Sequence, residues 1–492
     1  MGILGLQWKK KTNIFCVLNT YLTHFGGVLI SATGKHSRSI QRQSPQKAIL
    51  LILGLALIIR VLAFIFFGYT NWNFGDAESY RNLSQNLAAG RGFQISIHVP
   101  GRGFDFLNAP LDSWYIVGRS DEPTAFYEPV FPLLLAGFYR IFGGQGDSIF
   151  LIFQILFGSW TCVLIYFLAR RIAPDRGSLL VGLLAGIYPS LVFYSIVLMT
   201  DMLFFFVLLL CVLQGFRYQQ QPNAVNISIL ALLTAMATLT RSVAVVAVPV
   251  MLIALLAIRR SWKIRAQHLL LYGVIISAFF GAWMWRNAQC FGRPILLPTK
   301  GAFNFWDTMS CLPRLLGDKG LLPPTREKSR MRWDLPQVET LFPELNRLDL
   351  LYLPDHWADT EPERAQQLTH ITLSFLAANP SYAVSRYIRA AAKMYLPFMI
   401  ETDSLVLQCG QGGAYIIVLV AGVWGWIKLR KFNPILYVIA LSLLIYGLIV
   451  PIYSIQNSQR SRMPFDAMLI WMAAYGFQAL YDRFGGRFLR QQ

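Results

Sequence analysis

Long apolar stretches recur along this chain and leave few folds open to it. A segment that crosses a bilayer needs about 20 apolar residues, fewer where the helix is tucked inside a bundle. Segments of this kind run over 48–69 (AILLILGLALIIRVLAFIFFGY), 148–169, 178–198, 201–216, 226–240, 242–258 and 268–287. After a long polar interval come 412–427, 434–453 and 464–480. Only helices and closed barrels satisfy every backbone N–H and C=O in lipid, and runs of this length are helical runs. The expected fold class is an all-α polytopic membrane protein. Composition agrees, since 55% of the 492 residues are apolar and only 14% are charged, against about 25% charged in a soluble domain. Nucleic-acid binding would account for the formal charge of +19 but not for the apolar stretches, and a disordered chain lacks them.

Orientation follows from the short loops. Lys35, Arg38, Arg42 and Lys47 precede the first span. Arg170, Arg171 and Arg176 lie in 170–176, Arg259, Arg260, Lys263 and Arg265 in 259–265, and Lys428, Arg430 and Lys431 in 428–431. Placing all four clusters in the cytoplasm satisfies the positive-inside rule. Residues 70–147 and 288–411 then fall on the opposite side, and 70–147 holds five Arg/Lys against eight Asp/Glu. Parity holds if VFPLLLAGFYRIF (130–142), 13 residues long, is a helix near the outer face rather than a span.

Four regions result: a basic leader or interfacial helix (1–47), a transmembrane module (48–287) with external loop 70–147, an outward loop region with amphipathic helices (288–411), and C-terminal transmembrane helices (412–492). A Gly-rich stop after SYRNLSQNLAAG predicts a helix C-cap. Helices are expected at about 361–376 and 380–400, the second with Arg386, Arg389 and Lys393 on one face. The six cysteines form no CxxC pair, so a clustered metal centre is not expected. Cys290 and Cys311 share the outward region, where a disulfide is permitted.

Charges set against apolar segments on one side of a membrane mark where a site should be sought. Asp76 and Glu78 follow the first span directly, and Asp76 suits either a helix N-cap or a general base at the membrane surface. Glu128 precedes the short surface helix, and Asp201 begins a span, where it suits a cap. Arg241, Arg460 and Arg462 lie outside, where the positive-inside rule disfavours them, as do Arg386 and Arg389. Arginine holds phosphate oxygens through two parallel bonds, so outward cations around outward carboxylates suit a phosphate-bearing substrate, although contact with lipid phosphates explains any single Arg equally well. Arg60 is a charge inside the first span that either faces the bundle or shifts its register. No dinucleotide fingerprint and no P-loop occur.

Four stretches resemble the GT-C superfamily of membrane glycosyltransferases, in the bacterial branch similar to protein O-mannosyltransferases and lipid A aminoarabinose transferases. They are FGDAESYRNLSQNLAAGRGF, YEPVFPLLLAGFYRIFGG, LIYFLARRIAPDRGSLLVGLLAGIYPSLVFYSIVLMTDMLFF and ALLTAMATLTRSVAVV. The resemblance covers about residues 48–260 and thins afterwards, apart from SFLAANPSYAVSRYIRAAAKMY and RSRMPFD.

The resemblance implies a GT-C-like fold of about 10–12 transmembrane helices with extracytoplasmic loop helices. It implies a sugar donor on a polyprenyl monophosphate, a lipid, glycan or protein acceptor, and an inverting transfer on the outer face of the bacterial inner membrane. Asp76 takes the place of the catalytic base, with Glu78, Glu128 and Asp201 as supporting acids. Arg241, Arg460 and Arg462 are expected on the donor phosphate, with Arg386 and Arg389 as further candidates. Where the family often has a basic residue and two prolines, this chain has Glu128-Pro129-Val130. No cofactor is required; were a divalent metal used, Glu128 and Asp201 would be its ligands. Competing readings are a lipid-linked glycan flippase or transporter, a ligase or polymerase using polyprenyl-diphosphate glycans, and a noncatalytic scaffold.

Overall fold

The computed structural model describes residues 45–67, 75–95, 122–173, 175–246, 248, 261–309, 358–396, 405–428, 434–453 and 458–488. The leader up to residue 44, most of the expected span 242–258, the stretch 310–357 and Cys311 lie outside the described residues. The chain divides into a short unit ending at Leu51 and one large unit from Ile52 onward.

Helices make up nearly all of the described structure. They are α1 (Pro45–Phe67), α2 (Gly75–Ala88), α3 (Val130–Phe142), α4 (Gly146–Ala169), α5 (Asp175–Ile187), α6 (Pro189–Phe193), α7 (Thr200–Gln220) and α8 (Ala224–Thr240). Then follow α9 (Trp262–Phe291), α10 (Lys300–Met309), α11 (Glu361–Ala378), α12 (Pro380–Tyr395), α13 (Leu405–Lys428), α14 (Pro434–Ile449) and α15 (Ser458–Phe488). Among the described residues no strand forms, only an isolated bridge between Gln94 and Pro123. Five helical stretches are long and apolar enough to cross a membrane, namely Pro45–Phe67, Val130–Ala169, Thr200–Gln220, Trp262–Phe291 and Cys409–Ile427. Ala224–Thr240 and Leu443–Ile452 are shorter apolar helices. The chain is a multi-pass membrane protein.

Several elements form where the sequence places them. Gly90 and Gly92 adopt φ of 77° and 91° after α2, a conformation that glycine reaches without steric cost, and they end that helix. Helix α3 spans 130–142, and a 3-10 turn at Gly143–Gln145 separates it from α4. The expected span 178–198 is not continuous. Pro189 has no N–H to give and biases Tyr188 towards extended backbone, so α5 stops at Ile187 and a non-helical stretch follows α6 as far as Met199.

Packing inside the bundle relies on small residues. On α1 the inward stripe is Ile52, Ala56 and Arg60, while Leu62, Ile65 and Phe66 stay exposed, as expected of a lipid-facing side. Gly186 lies opposite Ala56, so the α1 and α5 backbones approach closely. Gly422, Gly425 and Gly476 do the same for α13 and α15, where a Cβ at Gly422 would meet Leu469 backbone oxygen at 2.6 Å.

Arg60 faces the bundle and is fully buried. Its Nε donates to Ser195 Oγ at 2.9 Å, Nη1 to the Ala56 and Gly186 carbonyls at 3.1 Å each, and Nη2 to the Leu191 carbonyl at 3.3 Å. A guanidinium spread over carbonyls and a hydroxyl pins the break after α5. Gln154 of α4 supports the same break, since its Nε2 donates to the Tyr194 carbonyl at 3.0 Å and to the Val197 carbonyl. The pinned stretch leads directly into Thr200 and Asp201.

Candidate active site

One cluster of charges gathers residues from five parts of the chain. Asp76 stands in the first turn of α2, Asp201 in the first turn of α7, Arg241 just after α8, Lys300 at the start of α10 and Arg460 in the first turn of α15.

Arg460 is the centre of the cluster. Its Nε donates to Asp201 Oδ1 at 2.8 Å and Oδ2 at 2.7 Å, its Nη1 to Asp76 Oδ2 at 2.7 Å, and its Nη2 to Thr200 Oγ1 at 3.3 Å. A single guanidinium therefore spans two carboxylates, which only a planar fork of several N–H groups can do. Arg241 completes Asp201 by pairing with Oδ1 through Nη1. Asp76 Oδ1 is held by Lys300 Nζ and by the Tyr127 hydroxyl, which donates at 3.2 Å. Lys300 Nζ also lies 4.7 Å from the centre of the Tyr127 ring, within cation–π range.

Burial alone would push the Asp76 carboxyl up, but the charges of Lys300 and Arg460 outweigh it and hold the group well below the usual carboxylate range. Asp76 is thus ionised at neutral pH. Tyr80 behind it is raised, first by burial and then by the Asp76 charge, and stays protonated. Asp201 is almost completely buried, and both of its oxygens are engaged.

Asp76 is not spent as a helix cap, for its oxygens face Lys300, Tyr127 and Arg460. Glu78, two residues on, points elsewhere and pairs with Arg81, whose Nε reaches Asp147 Oδ2 at 3.2 Å. Glu128 lies beside the cluster, where its Oε1 accepts the Ser242 N–H at 2.6 Å, next to Arg241 in sequence.

Arg462 stands apart from this cluster. Its Nε donates to Asp466 Oδ1 at 3.0 Å and its guanidinium stacks 3.6 Å from the Tyr415 ring centre, while the Tyr188 hydroxyl donates to Asp466 Oδ2 at 2.8 Å. Two residues along a helix turn the side chain by about 200°, so Arg460 and Arg462 cannot share one target. On α12, Arg386 Nε donates to the Thr308 carbonyl at 2.7 Å and Arg389 is exposed. The two acids that would ligate a metal, were one used, are committed to other partners: Asp201 to two guanidiniums and Glu128 to a backbone N–H. Among the described residues no three His, Cys, Asp or Glu side chains gather as a ligand set. These donors do not fit a metal as they stand.

Lys300, the Tyr127 hydroxyl and Glu361 were not singled out from sequence. Glu361 is buried at the start of α11, where its Oε1 accepts the Ala125 N–H at 2.8 Å and the Thr299 hydroxyl at 2.6 Å, and its Oε2 accepts the Thr124 hydroxyl at 2.6 Å. Arg286 of α9 ties down the same segment through Thr124 carbonyl at 2.8 Å and Phe93 carbonyl at 3.0 Å.

Residues 121–285, about a third of the chain, match the family model described as dolichyl-phosphate-mannose-protein mannosyltransferase. No curated protein matches the chain in sequence. Among solved structures, the archaeal oligosaccharyltransferase AglB from Archaeoglobus fulgidus, in complex with an inhibitory peptide and a dolichol-phosphate, superposes with a TM-score of 0.51 at 11% identity, covering 89% of this chain and 50% of that one. An Archaeoglobus fulgidus oligosaccharyltransferase in the apo form gives 0.50 at 13% identity, covering 92% of this chain and 52% of that one. The chain thus spans about half the length of these structures. ArnT from Cupriavidus metallidurans bound to undecaprenyl phosphate superposes with a TM-score of only 0.37 at 17% identity, covering 91% of this chain and 81% of that one. The chain shares its fold with these oligosaccharyltransferase structures and, over residues 121–285, resembles the dolichyl-phosphate-mannose-protein mannosyltransferase family in sequence.

Proposed function

We propose that the protein is a glycosyltransferase that moves a sugar from a polyprenyl-monophosphate donor to an envelope lipid, glycan or protein on the outer face of the bacterial inner membrane. The observation that carries this reading is the bridge Asp76–Arg460–Asp201, with Lys300 on the far oxygen of Asp76. Three cations (Arg241, Lys300, Arg460) stand among three acids (Asp76, Glu128, Asp201). The set is balanced until an anion arrives.

Donor phosphate entering beside Arg460 and Lys300 competes with Asp76 for them. Each N–H that turns from Asp76 to the phosphate removes one cause of the low Asp76 pKa, and its carboxylate becomes a stronger base as the donor binds. The acceptor hydroxyl then gives its proton to Asp76 while its oxygen bonds to the sugar's anomeric carbon. The bond from that carbon to the phosphate oxygen breaks, and its electron pair stays on the phosphate, where the guanidiniums and Lys300 stabilise it. Attack opposite the leaving group inverts the anomeric centre. Asp201 keeps Arg460 aimed throughout, because it holds Nε and leaves the η nitrogens for exchange. On this reading no metal is required, and transfer should survive exhaustive chelation.

The donor's tail has an apolar place nearby. A cavity of about 550 Å³ opens among α12 to α15, lined by Tyr395, Trp426, Leu444, Phe465 and Met468 among others. Phe465 lies five residues after Arg460 on α15, about 7.5 Å along the axis, so one helix offers a phosphate ligand at its start and an apolar wall beyond it.

The test is incubation of membranes containing the protein with radiolabelled polyprenyl-phosphate sugars, followed by solvent extraction. Labelled product with release of polyprenyl phosphate is expected, and its partition separates lipid from protein acceptors. Movement of labelled lipid between leaflets without release would overturn transferase chemistry in favour of a flippase.

A further inference from the structure

We infer that Glu361 is a positioning residue, which sets both partners of Asp76 Oδ1 from the start of a separate helix. It deepens the proposed function and takes from it the role of Asp76 as base. Glu361 is 3% exposed and receives three donors: the Thr124 hydroxyl, the Ala125 N–H and the Thr299 hydroxyl. Thr299 N–H also donates to the Ala125 carbonyl at 3.1 Å, so the two segments are cross-linked where Glu361 grips them.

Each gripped segment leads at once to an Asp76 partner. Lys300 directly follows Thr299, and Tyr127 is two residues after Ala125. Both side chains end on the same oxygen, Asp76 Oδ1, whereas Arg460 holds the other. The Oδ1 side of Asp76 is therefore built by one carboxylate 285 positions further along the chain.

The residue type fits the task. Three donors converging on one buried group call for an acceptor-only side chain with several lone pairs, which is an ionised carboxylate. Burial raises the Glu361 pKa above the ordinary carboxylate value, and the three hydrogen bonds and the Arg364 charge offset only part of that rise. The charged groups facing it are Arg364 from its own helix, whose Nη1 reaches the Ala358 carbonyl at 3.0 Å and the Asp359 carbonyl at 2.6 Å, and Arg286 from α9. Both cations favour the ionised acceptor.

The test reads Lys300 directly. Full-length protein in nanodiscs is acylated with acetic anhydride, and mass spectrometry gives the rate at Lys300 relative to the exposed Lys263. In the wild type Lys300, paired with Asp76, reacts slowly. Thr299→Val deletes one of the three donors at almost constant shape, and Glu361→Ala deletes all three bonds. Thr299→Val is expected to raise the Lys300 ratio about fivefold, the factor that corresponds to one hydrogen bond, with Glu361→Ala at least as large. Thr299→Ser keeps the hydroxyl and should return the wild-type ratio.

An unchanged ratio in Thr299→Val would overturn the inference, and so would a raised ratio in Thr299→Ser. A raised ratio with wild-type turnover in Thr299→Val would leave Glu361 as the positioner of Lys300 and remove the catalytic reading of Asp76 instead. If both hold, turnover falls with the rise in labelling, and the acid limb of kcat/KM moves to higher pH because Asp76 has lost a cation. A purely structural defect would lower the yield of folded protein and leave that limb where it was.

Discussion

Arg460 offers the sharpest perturbation, because geometry and charge give different expectations there. Its side chain is 9% exposed and that of Asp201 is 1%. Removing one partner of a buried ion pair costs about 3–5 kcal/mol. Asp201 keeps Arg241 and Asp76 keeps Lys300, so the lower end, about 3 kcal/mol, is expected for Arg460→Ala. Loss of a charged hydrogen bond to the donor phosphate adds about 1.5–3 kcal/mol to binding, a weakening of about 10- to 150-fold. Arg460→Lys separates the two causes. A single ammonium cannot span Asp76 and Asp201 as Nε and Nη1 do, so the Lys variant should bind donor within about threefold of the Ala variant. The assay pairs equilibrium binding of a labelled polyprenyl monophosphate in nanodiscs with thermal unfolding followed by intrinsic fluorescence. Adding Asp201→Asn to Arg460→Ala should recover about 1–3 kcal/mol of stability relative to the sum of the single changes. Wild-type donor binding in Arg460→Lys would show that charge alone matters, and wild-type binding in Arg460→Ala would remove the residue from the site.

Lys300→Met takes one cation from Asp76 and raises its pKa. The folded value lies below the ordinary one of about 3.9, so the wild-type contribution to stability is present above that pH and is lost as pH falls through the folded value. The acid limb of kcat/KM should therefore move to higher pH in Lys300→Met, and a pH–rate profile with an unmoved limb would refute the coupling. Gly158→Ala places a Cβ 2.9 Å from Arg60 Nε and against Ser195. Overpacking of this kind should cost about 1–3 kcal/mol in thermal unfolding and lower turnover through the stretch that leads to Asp201; unfolding indistinguishable from wild type would show that this stretch yields freely. Single-cysteine labelling of intact cells should mark position 320 and protect position 262, and the reverse pattern would invert the topology.

Much of the site was legible because membranes make charge conspicuous. Asp76, Asp201, Arg241 and Arg460 were singled out as charges at outward span ends, and they meet within one network. Arg60 stood out for the same reason. Arg462 was chosen on the same argument as Arg460, and only the helix phase of α15 separates them. Lys300, Tyr127 and Glu361 carry no such mark. They lie in polar segments between the apolar runs, where Lys and Glu are ordinary, and their importance depends on which loops touch, a tertiary fact with no local periodicity. The break at Tyr188–Pro189 is marked in the sequence by a proline within an apolar run, and the reading of 178–198 as one span took no account of it. The all-α fold followed from the apolar runs: α1, α4, α7 and α8 track theirs closely, α9, α13 and α15 run beyond theirs, and 178–198 is interrupted.

The most direct measurement of the central claim is turnover beside donor affinity for Asp76→Asn in one preparation. The amide keeps the size of the side chain and loses the charge that accepts a proton. Lys300 and Arg460, released from a carboxylate, remain free to meet the phosphate. Membrane abundance close to wild type, donor binding equal or tighter, and turnover reduced about a hundredfold or more are expected of a lost general base. Wild-type turnover in Asp76→Asn would contradict the assignment and pass the role to Glu128 or Asp201.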